Sequence, residues 1–291
     1  MLWMALKGLR TRGPVVAGSF YPSDRYELTR LIESCFTHEL GPGRLPKKGS
    51  SQGGGLIALL SPHAGYIYSG PVASHGYLLL SERPRPQTVI VIGPNHTGVG
   101  MDVSLYPEGK WLTPFGAIDI DGELTYSIVR SSELFTIDES SHVNEHSVEV
   151  QLPFLQYVLE SFKLVPICML DQSKETSLEV GGILAEVMAG KDALLVASSD
   201  LTHYEPAVSA RKKDGEVISA VTALDVSKLY STIASTDSTA CGYGPMAVAI
   251  IVAQKLGSKK GLLLKYANSG DVIGDNRAVV GYSAISFEKD M

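Results

Sequence analysis

Cysteine is scarce in this chain. The three present (Cys35, Cys168 and Cys241, in 291 residues) are far apart, odd in number and never in CxxC spacing. That argues against a disulfide framework and against a Cys-rich zinc module. Long apolar runs are also missing: none approaches the ~20 residues that a bilayer-spanning helix requires. The opening MLWMALKGLRTRGP lacks the long apolar core and small-residue cleavage site of a secretory signal, so residues 1–13 read as a flexible extension and a cytoplasmic setting is expected. Basic clusters are short and scattered (KK at 47–48, RKK at 211–213, KK at 259–260). With a net charge of −6 and a pI near 5.7, they read as solvated surface and argue against a nucleic-acid partner.

What is present is the alternation of an α/β protein. Hydrophobic residues make up 44% and charged residues 19%, enough for a substantial core and no signature of disorder. Residues 24–38 predict a helix opened by Ser23, with Leu28, Leu31, Ile32, Cys35 and Phe36 recurring on one face. A Gly/Pro/Lys/Ser loop follows over 41–55. Continuous apolar runs at 56–60, 88–92, 163–170 and 193–198 read as buried strands. Helices are expected near 70–81, 121–132, 147–161, 174–190, 208–222, 225–234 and 244–257. Pro153 would sit in a first turn or impose a kink. Residues 102–120 are strand-like, with turns at Pro107 and Pro114, and the runs 261–267 and 278–287 close the chain. The expectation is one domain over 14–291: a three-layer α/β/α fold around a largely parallel, mixed central sheet.

Three of the seven histidines lie in short segments next to these runs. LIALL leads into SPHAGY with His63, TVIVIG into PNH with His96, and ALLVASSD into LTHY with His203. In an open α/β sheet, ligands bind outside the carboxyl ends of the strands. Imidazoles gathered there suit a metal, since neutral histidine is the commonest metal ligand. His63 or His96 alone reads more readily as a hydrogen-bonded structural residue; it is their joint placement at one sheet edge that points to a shared site. Asp200 lies three residues before His203 and would form a carboxylate–imidazole couple or cap a helical turn, or both.

Cys241, in STACGYGPMAV, precedes a helix starting near Pro245. The positive end of the helix dipole would lower the thiol's pKa, favouring a metal ligand or nucleophile over an inert buried thiol. In NEHSVEVQLP, Glu145 and His146 stand at a helix mouth with Glu149 in its first turn. Glu149 alone is explained as a cap, but a histidine between two acids suggests a role near the substrate. Cys35 and Cys168 read as packing, and His38, His75 and His142 as surface or structural.

Taken together, AGSFYP (17–22), PHAGYIYSG (62–70), GPNH (93–96), EHSVEVQLPFL (145–155), SSDLTHY (198–204) and ACGYGP (240–245) resemble the signature blocks of the Memo family, in order along nearly the whole chain. The resemblance implies a fold similar to class III extradiol dioxygenases, in which two histidines and a carboxylate hold non-haem iron and a further histidine moves protons. It places His63 and His96 as metal ligands and His203, with Asp200, as the acid/base group. Glu145, His146, Tyr66 and Glu149 would lie on the substrate side. Cys241 stands where those dioxygenases carry the carboxylate ligand. The resemblance makes iron (Fe2+) the first expectation, while a softer, oxidisable thiolate in place of the carboxylate brings in copper or zinc as alternatives. The resemblance further implies an unknown small-molecule or peptide ligand and a radical-SAM system partner. Three functions compete: a metal-dependent oxidoreductase, a non-catalytic peptide- or protein-binding module on the same fold, and a metal-free hydrolase using Cys241 and His203.

Overall fold

The structure is a computed structural model that describes residues 10–47 and 55–290. Its centre is a nine-stranded mixed sheet. Four strands run parallel, side by side: Leu56–Ser61, Ala193–Ser198, Thr88–Pro94 and Lys163–Met169. On one flank Val279–Glu288 adds antiparallel to Leu56–Ser61, and Gly261–Asn268 and the short His203–Glu205 both pair with it. On the other flank Val103–Leu105 joins Lys163–Met169 antiparallel, and Phe135–Ile137 joins Val103–Leu105 in parallel. The mixed sheet flanked by helices matches the fold read from the sequence.

The parallel strands are apolar throughout because both their faces are covered. Along Thr88–Pro94 the alternation of side chains divides one run between two cores. Ile90 and Ile92 face Val180, Leu184 and Met188 of the helix Lys174–Met188 and the buried helix Tyr243–Lys255. Val89 and Val91 face the layer formed by Arg25–Thr37, Tyr66–Ser81 and Gln151–Leu159. Each such side chain, fully buried, is worth about 1.5–3 kcal/mol. On that second face Arg25–Thr37 packs so closely on Tyr66–Ser81 that a Cβ at Gly70 would come within 2.4 Å of the Cys35 sulfur.

Local differences from the sequence reading have physical causes. The first helix is capped by Asp24, not Ser23, its carboxylate accepting from the N–H groups of Tyr26 and Glu27. The next helix begins at Tyr66, a turn earlier than expected. Tyr66 is anchored by its N–H to the Phe20 carbonyl (2.8 Å), and Pro71 is taken inside the helix. Gln151–Leu159 starts late and takes Pro153 in its first turn, where the missing N–H costs nothing. Three short elements of the sheet and its edge carry too little pattern to be read: Phe135–Ile137, His203–Glu205 and the helix Ser269–Ile273.

The expected extension over 1–13 is corrected at its far end. Residues 1–9 lie outside the described residues, but Thr11–Arg12 is a strand paired in parallel with Lys110–Thr113, and Arg12 is buried. A two-residue strand built around a buried charge offers no apolar period to detect. The expected loop over 41–55 lies partly outside the described residues, at 48–54. No helix among the described residues is long and apolar enough to cross a membrane.

Candidate metal centre at the carboxyl edge of the sheet

The register brings the strand ends level: Ser61 pairs with Ser198, and Pro94 with Met169. Each chain then turns out of the sheet, and His63, His96 and Asp200 each follow two residues past a strand end. Ala193–Ser198 lies between the strands that deliver His63 and His96. The two rings therefore reach toward one another across roughly two strand spacings, about 10 Å. Their centroids are 5.2 Å apart. His146 joins them from the turn before Gln151–Leu159, with its ring 4.7 Å from that of His96 and 5.4 Å from that of His63. One ring nitrogen from each of His63, His96 and His146 lies within 4.8 Å of the others.

The protonation of His63 follows from its partners. Ser198 has one hydroxyl hydrogen, which it gives to the Ser147 carbonyl (2.7 Å). Its oxygen must then accept at its other contacts, from Gln151 Nε2 at 2.8 Å and from His63 Nδ1 at 2.9 Å. The proton of His63 thus sits on Nδ1, and Nε2 keeps its lone pair. Burial lowers the pKa of His63 well below the usual histidine value and keeps the ring neutral, with the neighbouring His146 and His96 acting in the same direction.

His96 is oriented in the same way by a carboxylate. Glu145 accepts from its ring Nδ1 at 2.9 Å and from its backbone N–H at 2.6 Å, and also takes the N–H groups of His146 and Ser147. Burial alone would raise the pKa of Glu145; the hydrogen bonds from His96 and the backbone overcome it and hold the carboxyl at about 2. The His146 ring stands 3.5 Å from the same oxygen and edge-on to Phe20. Burial lowers the pKa of His146 against the pull of Glu145. His63 is fully enclosed, whereas His96 is exposed, so the cluster is open on that side.

Cys241 lies against the cluster with Sγ 3.2 Å from His63 Nε2, the nitrogen that carries the lone pair. The Asp200 N–H donates to the sulfur at 3.3 Å. Gln172 clamps the Cys241 loop by binding the carbonyl of Cys241 and the N–H of Gly244, both at 2.9 Å. Gly242 is required there because a Cβ would meet the Ser198 carbonyl oxygen at 2.5 Å. The expected fall in the thiol's pKa does not occur. Burial pushes it up and the Asp200 charge adds to the rise, against the bonds from the Asp200 N–H and Ser199.

Asp200 is buried and accepts the backbone N–H of His63 at 2.8 Å, fixing the turn that presents that ring. Burial raises its carboxyl to about 6, against the stabilising bond from His63. It does not orient the His203 ring, whose Nδ1 is 3.1 Å from the Thr239 carbonyl. His203 is half-exposed.

Two residues expected on the substrate side are turned away from it. Tyr66 is buried among Tyr21 and Phe154, and its hydroxyl donates to the Val150 carbonyl (2.6 Å). Glu149 is fully buried and engaged by Arg12, by the N–H groups of Val15 and Val16, and by the Tyr21 hydroxyl. Both belong to the scaffold. Three residues of the site escaped sequence reasoning: Ser198, Gln151 and Arg12. For Ser198 and Gln151 the only signal available was a polar residue set in an otherwise apolar strand end or helix face, and nothing local marks Arg12.

A family model described as Memo-like protein matches residues 12–286. The chain belongs to the Memo family. It is 47% identical over 281 residues to a MEMO1 family protein of Methanopyrus kandleri, covering 96% of this chain and 99% of that one. A MEMO1 family protein of Methanothermobacter thermautotrophicus is 47% identical over 277 residues, covering 94% and 99%. One of Nitrosopumilus maritimus is 45% identical over 277 residues, covering 95% and 99%. Among solved structures, an uncharacterized protein of Escherichia coli K12 aligns with a TM-score of 0.54 at 15% identity, over 79% of this chain and 99% of that one. That similarity is one of fold.

Proposed function

We propose that this Memo-family protein is a metal-binding, oxidoreductase-like enzyme whose ion is held by His63 and His96 with one further donor beside them. The observation that carries this reading is the commitment of Nδ1 in two neighbouring rings. His63 gives that proton to Ser198 and His96 gives it to Glu145, so in each ring Nε2 is the nitrogen left for an ion. Metal-ligating histidines are held in this way, with the outward N–H bonded to a hydroxyl, carbonyl or carboxylate. The donor set fits a borderline transition ion: imidazoles with a thiol beside them suit iron, copper or zinc, with iron the first choice. His146 and Cys241 are the two candidates for the remaining donor.

Bound there, such an ion would supply Lewis-acid or redox chemistry. The chain's own residues do the rest. Glu145 fixes the tautomer of His96, Asp200 fixes the turn at His63, and the exposed flank at His96 admits a small-molecule or peptide ligand. His203, with Nδ1 bonded to the Thr239 carbonyl, keeps Nε2 to accept or return a proton.

The test is elemental analysis of protein purified without oxygen. Wild type should carry one equivalent of metal and His63→Ala almost none. Cys241→Ser and His146→Ala identify the remaining donor by which of them loses the ion. Full metal retention in His63→Ala would overturn the reading. The 3.2 Å contact of Cys241 Sγ with His63 Nε2 supports a second one, a thiol–imidazole nucleophile pair. In that case iodoacetamide abolishes turnover and chelators leave it unchanged.

A further inference from the structure

Cluster geometry on one side depends on a short irregular segment, residues 142–149, which supplies both Glu145 and His146. Glu145, Ser147 and Glu149 each tie one point of this segment to the body, through the His96 N–H, the Pro94 carbonyl and the Val15 and Val16 N–H groups, and one side chain from the far amino-terminal end spans its whole length. Arg12 Nε donates to the His142 carbonyl at 2.8 Å, Nη2 to the Glu145 carbonyl at 2.6 Å, and Nη1 to the Glu149 carboxylate at 2.7 Å. Its guanidinium lies 4.1 Å from the centre of the Trp111 ring, and the side chain is 5% exposed. Three points along eight residues are thereby fixed to one rigid planar fork. Two of the loop's N–H groups are spent on the Glu145 side chain.

A buried ion pair is an inefficient source of stability, because desolvation of both charges offsets much of their attraction. An apolar pair of similar volume would hold the strand Thr11–Arg12 to the body equally well. It would not hold two backbone carbonyls at defined positions. A lysine could keep the charge beside Glu149, but its single ammonium does not reproduce the planar fork.

We propose that Arg12 is a positioning residue for the histidine cluster: it sets the path of residues 142–149 so that Glu145 meets His96 and His146 meets the other two rings. The inference rests on the metal-binding reading above and concerns a residue remote from the ion. Arg12 acts through the loop and touches none of the three imidazoles.

The experiment uses the full chain, Arg12→Lys against wild type, with two readouts. The first is titration with cobalt(II) under anaerobic conditions, following both affinity and the visible absorption of the bound ion. Arg12→Lys should bind roughly 10–100-fold more weakly, the range seen when outer-shell partners of ligands are lost, with a shifted cobalt spectrum and a thermal midpoint within a few degrees of wild type. The second is amide hydrogen exchange of the metal-free protein. It should accelerate at least tenfold at His146 and Ser147 and stay unchanged in Ala193–Ser198.

Wild-type cobalt affinity and spectrum with slow exchange at His146 and Ser147 would overturn the proposal, as would a change that is uniform across the sheet. If wild type itself binds no cobalt, the metal-binding reading fails, and the exchange readout alone decides whether Arg12 shapes the loop. Should Arg12→Lys fail to fold, Trp111→Leu takes its place, because it removes the ring under the guanidinium and leaves each loop acceptor its donor. It should give the same localised exchange and weaker cobalt binding; wild-type values in both would overturn the proposal.

Discussion

The two walls of the cluster are built by different physics. The wall carrying His63 and Asp200 grows out of parallel strands in fixed register, its positions following from backbone pairing between Leu56–Ser61 and Ala193–Ser198, with the Cys241 loop held against it by Gln172. The wall carrying Glu145 and His146 has no regular structure to stand on. It is cast by side chains, namely Arg12, Glu149 and Glu145 itself. Regular backbone places a residue through many weak, redundant bonds, whereas the loop is placed through a few buried charges, each without a substitute. The first wall should therefore tolerate losses of packing without losing its geometry, and the second should lose its geometry with little loss of packing.

The sharpest challenge to that contrast is Ile92→Ala, a fully buried core truncation in the strand that leads to His96. It should cost about 2–5 kcal/mol in denaturant unfolding, yet leave metal affinity within a few-fold of wild type. A large loss of affinity would show that the strand wall is as fragile as the loop. Glu145→Gln is the converse. It should leave the unfolding midpoint close to wild type and weaken metal binding by roughly 10–100-fold, measured by competition with a chelator. Ser198→Ala tests the hinge between the walls, since its oxygen receives both Gln151 and His63. Leaving these buried donors without an acceptor should cost about 1–3 kcal/mol, and the His63 ring should exchange tautomers, visible in nitrogen NMR.

The smallest effect concerns acid. His142 is fully buried against Tyr106 and Trp111. Its burial, with the Arg12 charge added, holds its pKa at about 3, below the ordinary 6.5. The unfolded chain therefore binds this proton more tightly than the folded one. Stability from this group is complete above pH 6.5 and is lost progressively as pH falls toward 3. His142→Phe should flatten that part of the unfolding curve. His63 and His146, whose pKa values are also lowered, should leave a residual slope in the same direction. An unchanged acid limb would mean that the loop wall already opens before His142 takes up its proton.

Legibility follows the same division. His63 and His96 could be found because each follows an apolar run with the period of a buried strand, and the sheet edge is a general binding locus. Cys241 could be found from the glycines around it, although burial pushes its thiol's pKa up, not down. Tyr66 and Glu149 were misplaced because a polar group beside a candidate site looks the same in sequence whether it faces the cleft or the core. Arg12 sits 130 or more residues from the carbonyls it binds, and nothing local marks an arginine that will be buried.

Local sequence, then, determined the parallel strands, their helices and the edge at which histidines would gather, because hydrophobic period and turn chemistry act over a few residues. Tertiary structure decided which ring nitrogen keeps its proton, that His146 stands with His63 and His96, and that Arg12 shapes the loop beside them. Those outcomes depend on hydrogen-bond partners distant in the chain, which meet only once the core has closed.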